Sequence, residues 1–228
     1  MRNPEFQFEF QSEFRPEFQD WGLIDYKTAL NKQLALVEKV AEKKSQNANH
    51  HANHPGFLIF CTHPHIVTLG RQTQPTDVFA WAGESVEISR GGRATYHGPS
   101  QLVIYPILNL KKARAGRGPQ EIRGYLRALE LTIIETLKEY SVNAKAESAD
   151  TGVWVGSKKI ASLGIAVKKW VTYHGAAINL DNDPLAFQGL NPCGFKSSTM
   201  ICLETLLGKK INREEFGAKL LKNMNGIL

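Results

Sequence analysis

The longest uninterrupted apolar run in the chain, Leu102 to Leu108, has the length of a buried strand. A membrane helix needs roughly 20 apolar residues, and no stretch approaches that. The other strand-like segments, some broken by polar or glycine residues, are also short: Phe57 to Cys61, His65 to Leu69, Val86 to Ser89, Gly152 to Val155, Lys158 to Val167 and Val171 to Leu180. Gly, Pro and Asn bound them, which marks strands, and Gly156-Ser157 is a two-residue hairpin signal. Helical patterns run between them. Tyr26, Leu30, Leu34, Val37 and Ala41 recur at three- and four-residue steps within Asp25 to Lys44. Pro119 opens a second helix, whose apolar face holds Ile122, Tyr125, Leu126, Leu129, Ile133, Leu137 and Tyr140. Two short helices follow, Thr199 to Leu207 and Asn212 to Asn223, the latter with Asn212 as cap and Glu215 reaching back. The alternation predicts a single α/β (α+β) domain, a mixed sheet flanked by helices.

The 228 residues, 42% hydrophobic and 22% charged, suffice for one sizeable core. Residues 1–20 predict an appended arm, with Glu-Phe dipeptides every four positions interrupted by Pro4 and Pro16, and residues 21–228 the domain proper. Residues 45–56 read as a surface loop insertion. Its His50, His51 and His54 have no acid or cysteine beside them, so no metal is expected. Three cysteines cannot all pair within the chain, and the first residues have no apolar h-region; a reduced, cytoplasmic protein is expected. Net charge is +6, and the stretch from Lys111 to Arg127 alone carries +5 through Lys111, Lys112, Arg114, Arg117, Arg123 and Arg127 against Glu121. Such a patch is either a solvated face or a dock for an acidic partner. Nucleic acid is not expected, because no aromatics interleave with the basic residues.

Three groups of residues could carry chemistry. Cys61 ends an apolar run and Cys202 sits among Met200, Ile201 and Leu203, which reads as packing in a short helix. Cys193 differs, since Asn191-Pro192-Cys193-Gly194 holds a thiol on a tight bend. A second group is Arg90-Gly91-Gly92-Arg93-Ala94-Thr95-Tyr96-His97-Gly98-Pro99, where paired glycines let a ligand approach the backbone and Thr95 and His97 share a side if the segment is extended. It matches neither a P-loop nor a dinucleotide fingerprint. The third is Lys158-Lys159-Ile160-Ala161-Ser162-Leu163-Gly164, opening a strand just after the hairpin, with Gly175-Ala176-Ala177 in the next strand.

Together with Thr62-His63-Pro64, Thr68-Leu69-Gly70-Arg71, Gly152-Val153-Trp154-Val155 and His174-Gly175, these segments resemble the lipoate-biosynthesis octanoyltransferases over about residues 20 to 210. The resemblance implies the fold of biotin and lipoate protein ligase catalytic domains. It also implies a two-step acyl transfer: octanoyl from octanoyl-acyl carrier protein to a thioester on Cys193, then to the lysine of lipoyl domains in 2-oxoacid dehydrogenase complexes and the glycine-cleavage protein. By the same resemblance Lys159 is the partner of the thiol. The segment Arg90, Gly91, Gly92, Arg93, Ala94, Thr95, Tyr96 and His97, with Ser162, Leu163, Gly164, Gly175, Ala176 and Ala177, binds substrate. No cofactor is implied, because a thioester is already activated, and a monomer is expected. An ordinary thiol is only about 3% thiolate at neutral pH, so a neighbouring cation is useful. Lys159 could supply that charge or, as a neutral amine, take a proton; the sequence leaves both roles open. An octanoyl tail offers at most about 5–6 kcal/mol of burial, at ~0.8 kcal/mol per carbon, which calls for an apolar slot beside Cys193.

Ser100 stands where the family usually has glycine after His-Gly-Pro, and the arm and the loop near residue 50 look like additions. Three rival readings exist. An ATP-dependent lipoate–protein ligase of the same fold needs no thiol. An amidotransferase moving octanoyl between lipoyl-domain proteins also uses a cysteine. A non-catalytic basic module leaves Cys193 and Lys159 without a task.

Overall fold

The computed structural model describes residues 16–41, 55–111, 118–148 and 150–227. The histidines of the 45–54 stretch, the first fifteen residues, and Lys112, Arg114 and Arg117 lie outside the described residues.

Among the described residues ten strands form two sheets. The larger contains β1 (Glu17–Leu23), β2 (Phe57–Thr62), β6 (Gln101–Ile107), β10 (Val171–Asn179), β9 (Lys158–Lys168), β8 (Val153–Val155) and β7 (Lys145–Ala146), hydrogen-bonded in that order. Among the described residues of this sheet, β1 and β2 are the one parallel pair. Their connection is the helix α1 (Tyr26–Ala41), as a parallel crossover requires. The smaller sheet has β3 (Ile66–Leu69) between β4 (Glu84–Glu87) and β5 (Thr95–His97). Helices α2 (Ile122–Lys138), α3 (Leu203–Leu207) and α4 (Arg213–Ile227) complete the domain, with short 3-10 turns at Pro75–Asp77, Pro192–Gly194 and Ser197–Thr199.

Alternation along the central strands builds two cores. Leu58, Phe60, Leu102, Ile104, Ala176 and Ile178 face α2 and α4, meeting Leu129, Ile133, Leu137, Phe216 and Leu220. Their neighbours Phe57, Ile59, Cys61, Val103, Tyr105, Ile107 and Ala177 face α1, meeting Ala29, Val37 and Val40. Each fully buried Leu, Ile or Phe contributes about 1.5–3 kcal/mol. The small sheet has its own cluster, in which Val67, Ala94 and Tyr96 pack on Phe187 and Leu190. Among the described residues, no helix is long and apolar enough to cross a membrane.

Four local expectations are corrected. Residues 17–20, assigned to the arm, begin the edge strand β1, where Glu17 lies opposite Phe57. The segment from Thr199 does not start a helix, because Met200 runs extended and bridges Lys159 while the Ile201 N–H donates to the Lys159 carbonyl at 3.1 Å. Cys202 is therefore the N-cap residue before α3, and its thiol contacts Asn182 and Thr205. Asn212 does cap α4, accepting from the Glu215 N–H at 3.0 Å, but the Glu215 carboxylate reaches Lys219 at 2.7 Å instead of turning back.

Candidate active site

The 3-10 turn Pro192–Gly194 places Cys193 in the left-handed region, φ 56° and ψ 20°. A non-glycine residue rarely adopts that conformation. The turn is held by the Cys193 N–H donating to the Ala94 carbonyl at 2.8 Å, by Asn191 N–H on the Asp77 carbonyl at 2.8 Å, and by the Asn191 side chain on the Thr76 carbonyl. The thiol is half-buried and lines a narrow cavity, about 30 Å³ of free space, between β5 of the small sheet and β6, β9 and β10 of the large one.

Two guanidinium groups, Arg90 and Arg93, lie within electrostatic range of Cys193. Arg90 is buried, and its nitrogens donate to the carbonyls of Gly91, Arg93 and Thr68 and to the Thr68 hydroxyl, all at 2.8–3.0 Å. Arg93 pairs through two nitrogens with the fully buried Asp77. Burial pushes the Asp77 carboxyl up, but the Arg93 pair and the backbone N–H groups of Gln74 and Ala94 outweigh it and leave it below its usual value. Arg93 lies over Gly194: a Cβ there would come 2.2 Å from its guanidinium, which fixes glycine after the cysteine.

Lys159, at the start of β9, is 2% exposed. Its ammonium donates to the Thr151 carbonyl at 2.8 Å and sits 5.2 Å and 5.4 Å from the ring centres of Trp154 and Phe195. Phe195 is two residues past Cys193, so this lysine stands beside the nucleophile's turn. Gly152 makes the room, since a Cβ there would lie 2.2 Å from Lys159 Cε. Its N–H is anchored by the buried Glu130 at 2.8 Å.

The structure brings Arg90, Thr95, His97, Ser162, Leu163, Gly164, Gly175, Ala176, Ala177 and Cys193 into one cavity wall. Lys159 adjoins that wall without lining it. Five other residues from the substrate segment do not line it either. Gly91 donates to the Ile165 carbonyl at 3.1 Å, Gly92 turns at φ 82°, Arg93 pairs with Asp77, and Ala94 accepts from Cys193. Tyr96 points to the opposite side of β5, where its hydroxyl donates to Asp183 at 2.6 Å. Thr95 and His97 alternate with it, as an extended strand dictates.

The sequence reading missed Tyr26, Val103, Tyr105 and His174 as cavity residues. Tyr26 was absorbed into a helix face and Tyr105 into an apolar run; His174 was one polar side chain within an apolar strand. The β6–β10 ladder runs from Ala176 opposite Ile104 to Asn179 opposite Gln101, and His174 lies before it. His174 takes φ 58° and its N–H donates to Gln33 Oε1 at 2.8 Å. Among the described residues, no three His, Cys, Asp or Glu side chains group as metal ligands.

A mixed sheet with a helix on one face and two on the other, a small sheet at its side and a cavity between them define the fold of lipoate and biotin protein ligase catalytic domains. The lipoate protein ligase of an archaeal lipoylation system from Thermoplasma acidophilum superposes with a TM-score of 0.62, over 92% of this chain and 83% of that one, at 16% identity. A biotin protein ligase from Aquifex aeolicus gives 0.55, over 92% and 68%, also at 16% identity. The model of the lipoyl protein ligase A/B catalytic domain matches residues 25–225, and the chain belongs to that family. An octanoyltransferase of Bdellovibrio bacteriovorus is 52% identical over 92% of this chain and 98% of its own length. One from Flavobacterium psychrophilum is 36% identical over 91% and 94%.

Proposed function

We propose that this transferase carries an octanoyl group from octanoyl-acyl carrier protein, through a thioester on Cys193, to the target lysine of lipoyl domains. The 52% identical relative is an octanoyltransferase. The observation that carries the covalent route is Cys193 itself, on a left-handed turn at the edge of a narrow cavity with two arginines beside it.

In the first step the Cys193 thiolate attacks the carbonyl carbon of the carrier-bound thioester. The new C–S bond forms, the carrier's C–S bond breaks, and the carrier thiolate leaves and takes up a proton. In the second step the amine of the acceptor lysine attacks the Cys193 thioester. An amide forms, the Cys193 C–S bond breaks and the amine gives up a proton. Arg90 and Arg93 keep their charge throughout, because guanidinium does not deprotonate in proteins. Lys159, beside the same turn, is the further group placed to assist the thiol, by its charge or by carrying a proton. The octanoyl tail lies along Val103, Leu163, Ala176 and Ala177.

Acyl carrier proteins and lipoyl domains are acidic as classes, so the basic stretch from Lys111 to Arg127 suits either. Within it Lys111, Arg123 and Arg127 are exposed. The deciding experiment is intact mass after incubation with octanoyl-acyl carrier protein and no nucleotide. One added octanoyl group, absent in Cys193→Ser, supports the reading. An adduct that persists in that variant refutes it, and an absolute need for ATP favours ligase chemistry.

A further inference from the structure

The Lys159 ammonium donates to a peptide carbonyl, that of Thr151, at 2.8 Å. The N–H of the same peptide group belongs to Gly152 and donates to Glu130 Oε1, also at 2.8 Å. Among the described residues no peptide bond is cis, and a trans peptide is a rigid plane whose N–H and C=O point in opposite directions. Holding the N–H therefore aims the carbonyl. One planar unit is gripped at one end by Glu130 and holds Lys159 with the other.

Glu130 is an unexpected residue for its place. It lies on the buried face of α2, beside Leu129 and Ile133, and is 5% exposed. A carboxyl there is costly unless its oxygens are satisfied. Oε1 receives the Gly152 N–H, and Oε2 receives Arg127 Nη1 at 3.3 Å from one helical turn back. An apolar side chain would pack α2 at less cost, so what the carboxyl adds is its hold on the peptide. The neighbouring ladder does not supply that hold. Gly152 lies just before β8, and the β8–β9 register shifts between Val153 and Trp154, the residue paired with Lys159. The lysine side chain, flexible along its four-carbon stem, needs such an anchor to keep its charge in one place.

We propose that Glu130 is a positioning residue for acyl transfer: through the Thr151–Gly152 peptide it fixes where the Lys159 ammonium sits beside the Cys193 turn, without itself touching substrate. Hydrogen bonds in a chain polarise one another, so the hold on the N–H also makes the carbonyl a better acceptor. Because a neutral carbonyl receives it, the ammonium is anchored by a group that does not cancel its charge. What the site requires of Glu130 is an oxygen at the right reach, more than its charge. This inference rests on the reading in which Lys159 serves the Cys193 thiol.

The test is the single-turnover rate of Cys193 acylation by octanoyl-acyl carrier protein in the full chain, for Glu130→Gln, Glu130→Asp, Lys159→Ala and the double variant Glu130→Asp/Lys159→Ala. The Gln variant keeps an acceptor oxygen at the same reach and should stay within about threefold of wild type. The Asp variant keeps the carboxylate but withdraws it by one carbon, about 1.5 Å, and should slow acylation about 10- to 100-fold, as a misplacement on the order of 1 Å does. In the Lys159→Ala background the same Asp substitution should change the rate by less than about twofold, because its effect passes through the lysine. A carboxylate needed only for its charge gives the reverse order, with Asp milder than Gln. A lesion that merely loosens the domain slows the double variant below Lys159→Ala. Either result overturns the proposal, as does a Glu130→Asp rate equal to wild type. So does a Glu130→Gln rate as low as that of Lys159→Ala, a result that counts whether or not the Asp variant folds. An undiminished rate in Lys159→Ala overturns the reading of Lys159 beneath it, and a wild type that takes up no octanoyl group overturns the transfer reading.

Discussion

Two sets of side chains at the cavity are built on opposite electrostatic plans. Around Cys193 stand Arg90, Arg93 and Lys159, two of them with almost no solvent exposure. Beside them stand Tyr26, His63, His97, Tyr105 and His174, where burial pushes the tyrosine hydroxyls up and the imidazoles down until every one is neutral, and Arg90 acts on four of these five as well. The difference teaches what each set handles. On the proposed route a thiolate and an oxyanion develop at the first, and charge there lowers a barrier. The second set adds no charge of its own to the pocket, where a further one would have to be buried for nothing in return.

The sharpest way to break this comparison is to remove the group the charged set serves. Cys193→Ser should lower thioester formation by at least about 10³-fold, measured by intact mass. Cys61 lies in the α1-facing core, where burial raises its thiol far above the ordinary range, so alkylating reagents should modify Cys193 and spare Cys61. Lys159→Ala should slow acyl transfer by about 10²- to 10⁴-fold across neutral pH in single-turnover assays. An undiminished rate would take Lys159 out of the mechanism and leave the arginines to define that set alone.

The neutral set makes a different prediction, because its cost is paid in protons. The three buried histidines have folded-state values below the unfolded 6.5, so the unfolded chain binds protons first. Their stabilising effect is complete above pH 6.5 and is lost as pH falls towards the folded values. Each should remove about 1.4 kcal/mol per pH unit in that window. Denaturant titrations between pH 7 and 4.5 read this slope; a flat profile would mean the second set is not neutral. Asp77→Ala should destabilise the Pro192–Gly194 turn by removing the partner of Arg93 and should lower the acylation rate as well, because Arg93 lies over Gly194; denaturant titration and the rate check both. The smallest effect belongs to the outer surface: charge reversal at Lys111 and Arg123 should raise KM for the carrier protein a few-fold, with salt doing the same in the parent chain.

The sequence made the charged set legible and hid the neutral one, for a physical reason. Cys193 sits in Asn-Pro-Cys-Gly, and turn residues announce a bend locally. Lys159 follows a hairpin signal and came forward through the family resemblance. The neutral set draws Tyr26 from α1, His63 from just past β2, Tyr105 from β6 and His174 from β10, and nothing in any one segment shows that these rings converge. The central strands were readable as apolar runs. β1 was not, because an edge strand with most residues exposed has no inward face to alternate. β5 was concealed inside a glycine-rich stretch, and the helical reading of Thr199 and Met200 gave way to a backbone bridge with Lys159.

His174 has one more consequence, for how the molecule can be assembled. Its left-handed φ occurs where β10 pairs with β9, opposite Ile165, just before the β6 ladder begins at Ala176. Sliding β10 by one residue would hand that conformation to Tyr173, or carry Gly175 away from the Ile104 carbonyl that leaves no space for a side chain. The register of the central strand and the shape of the pocket are therefore one and the same piece of information. A chain that has zipped this strand correctly has already made its pocket, and one that has misaligned it has no half-built site to rescue.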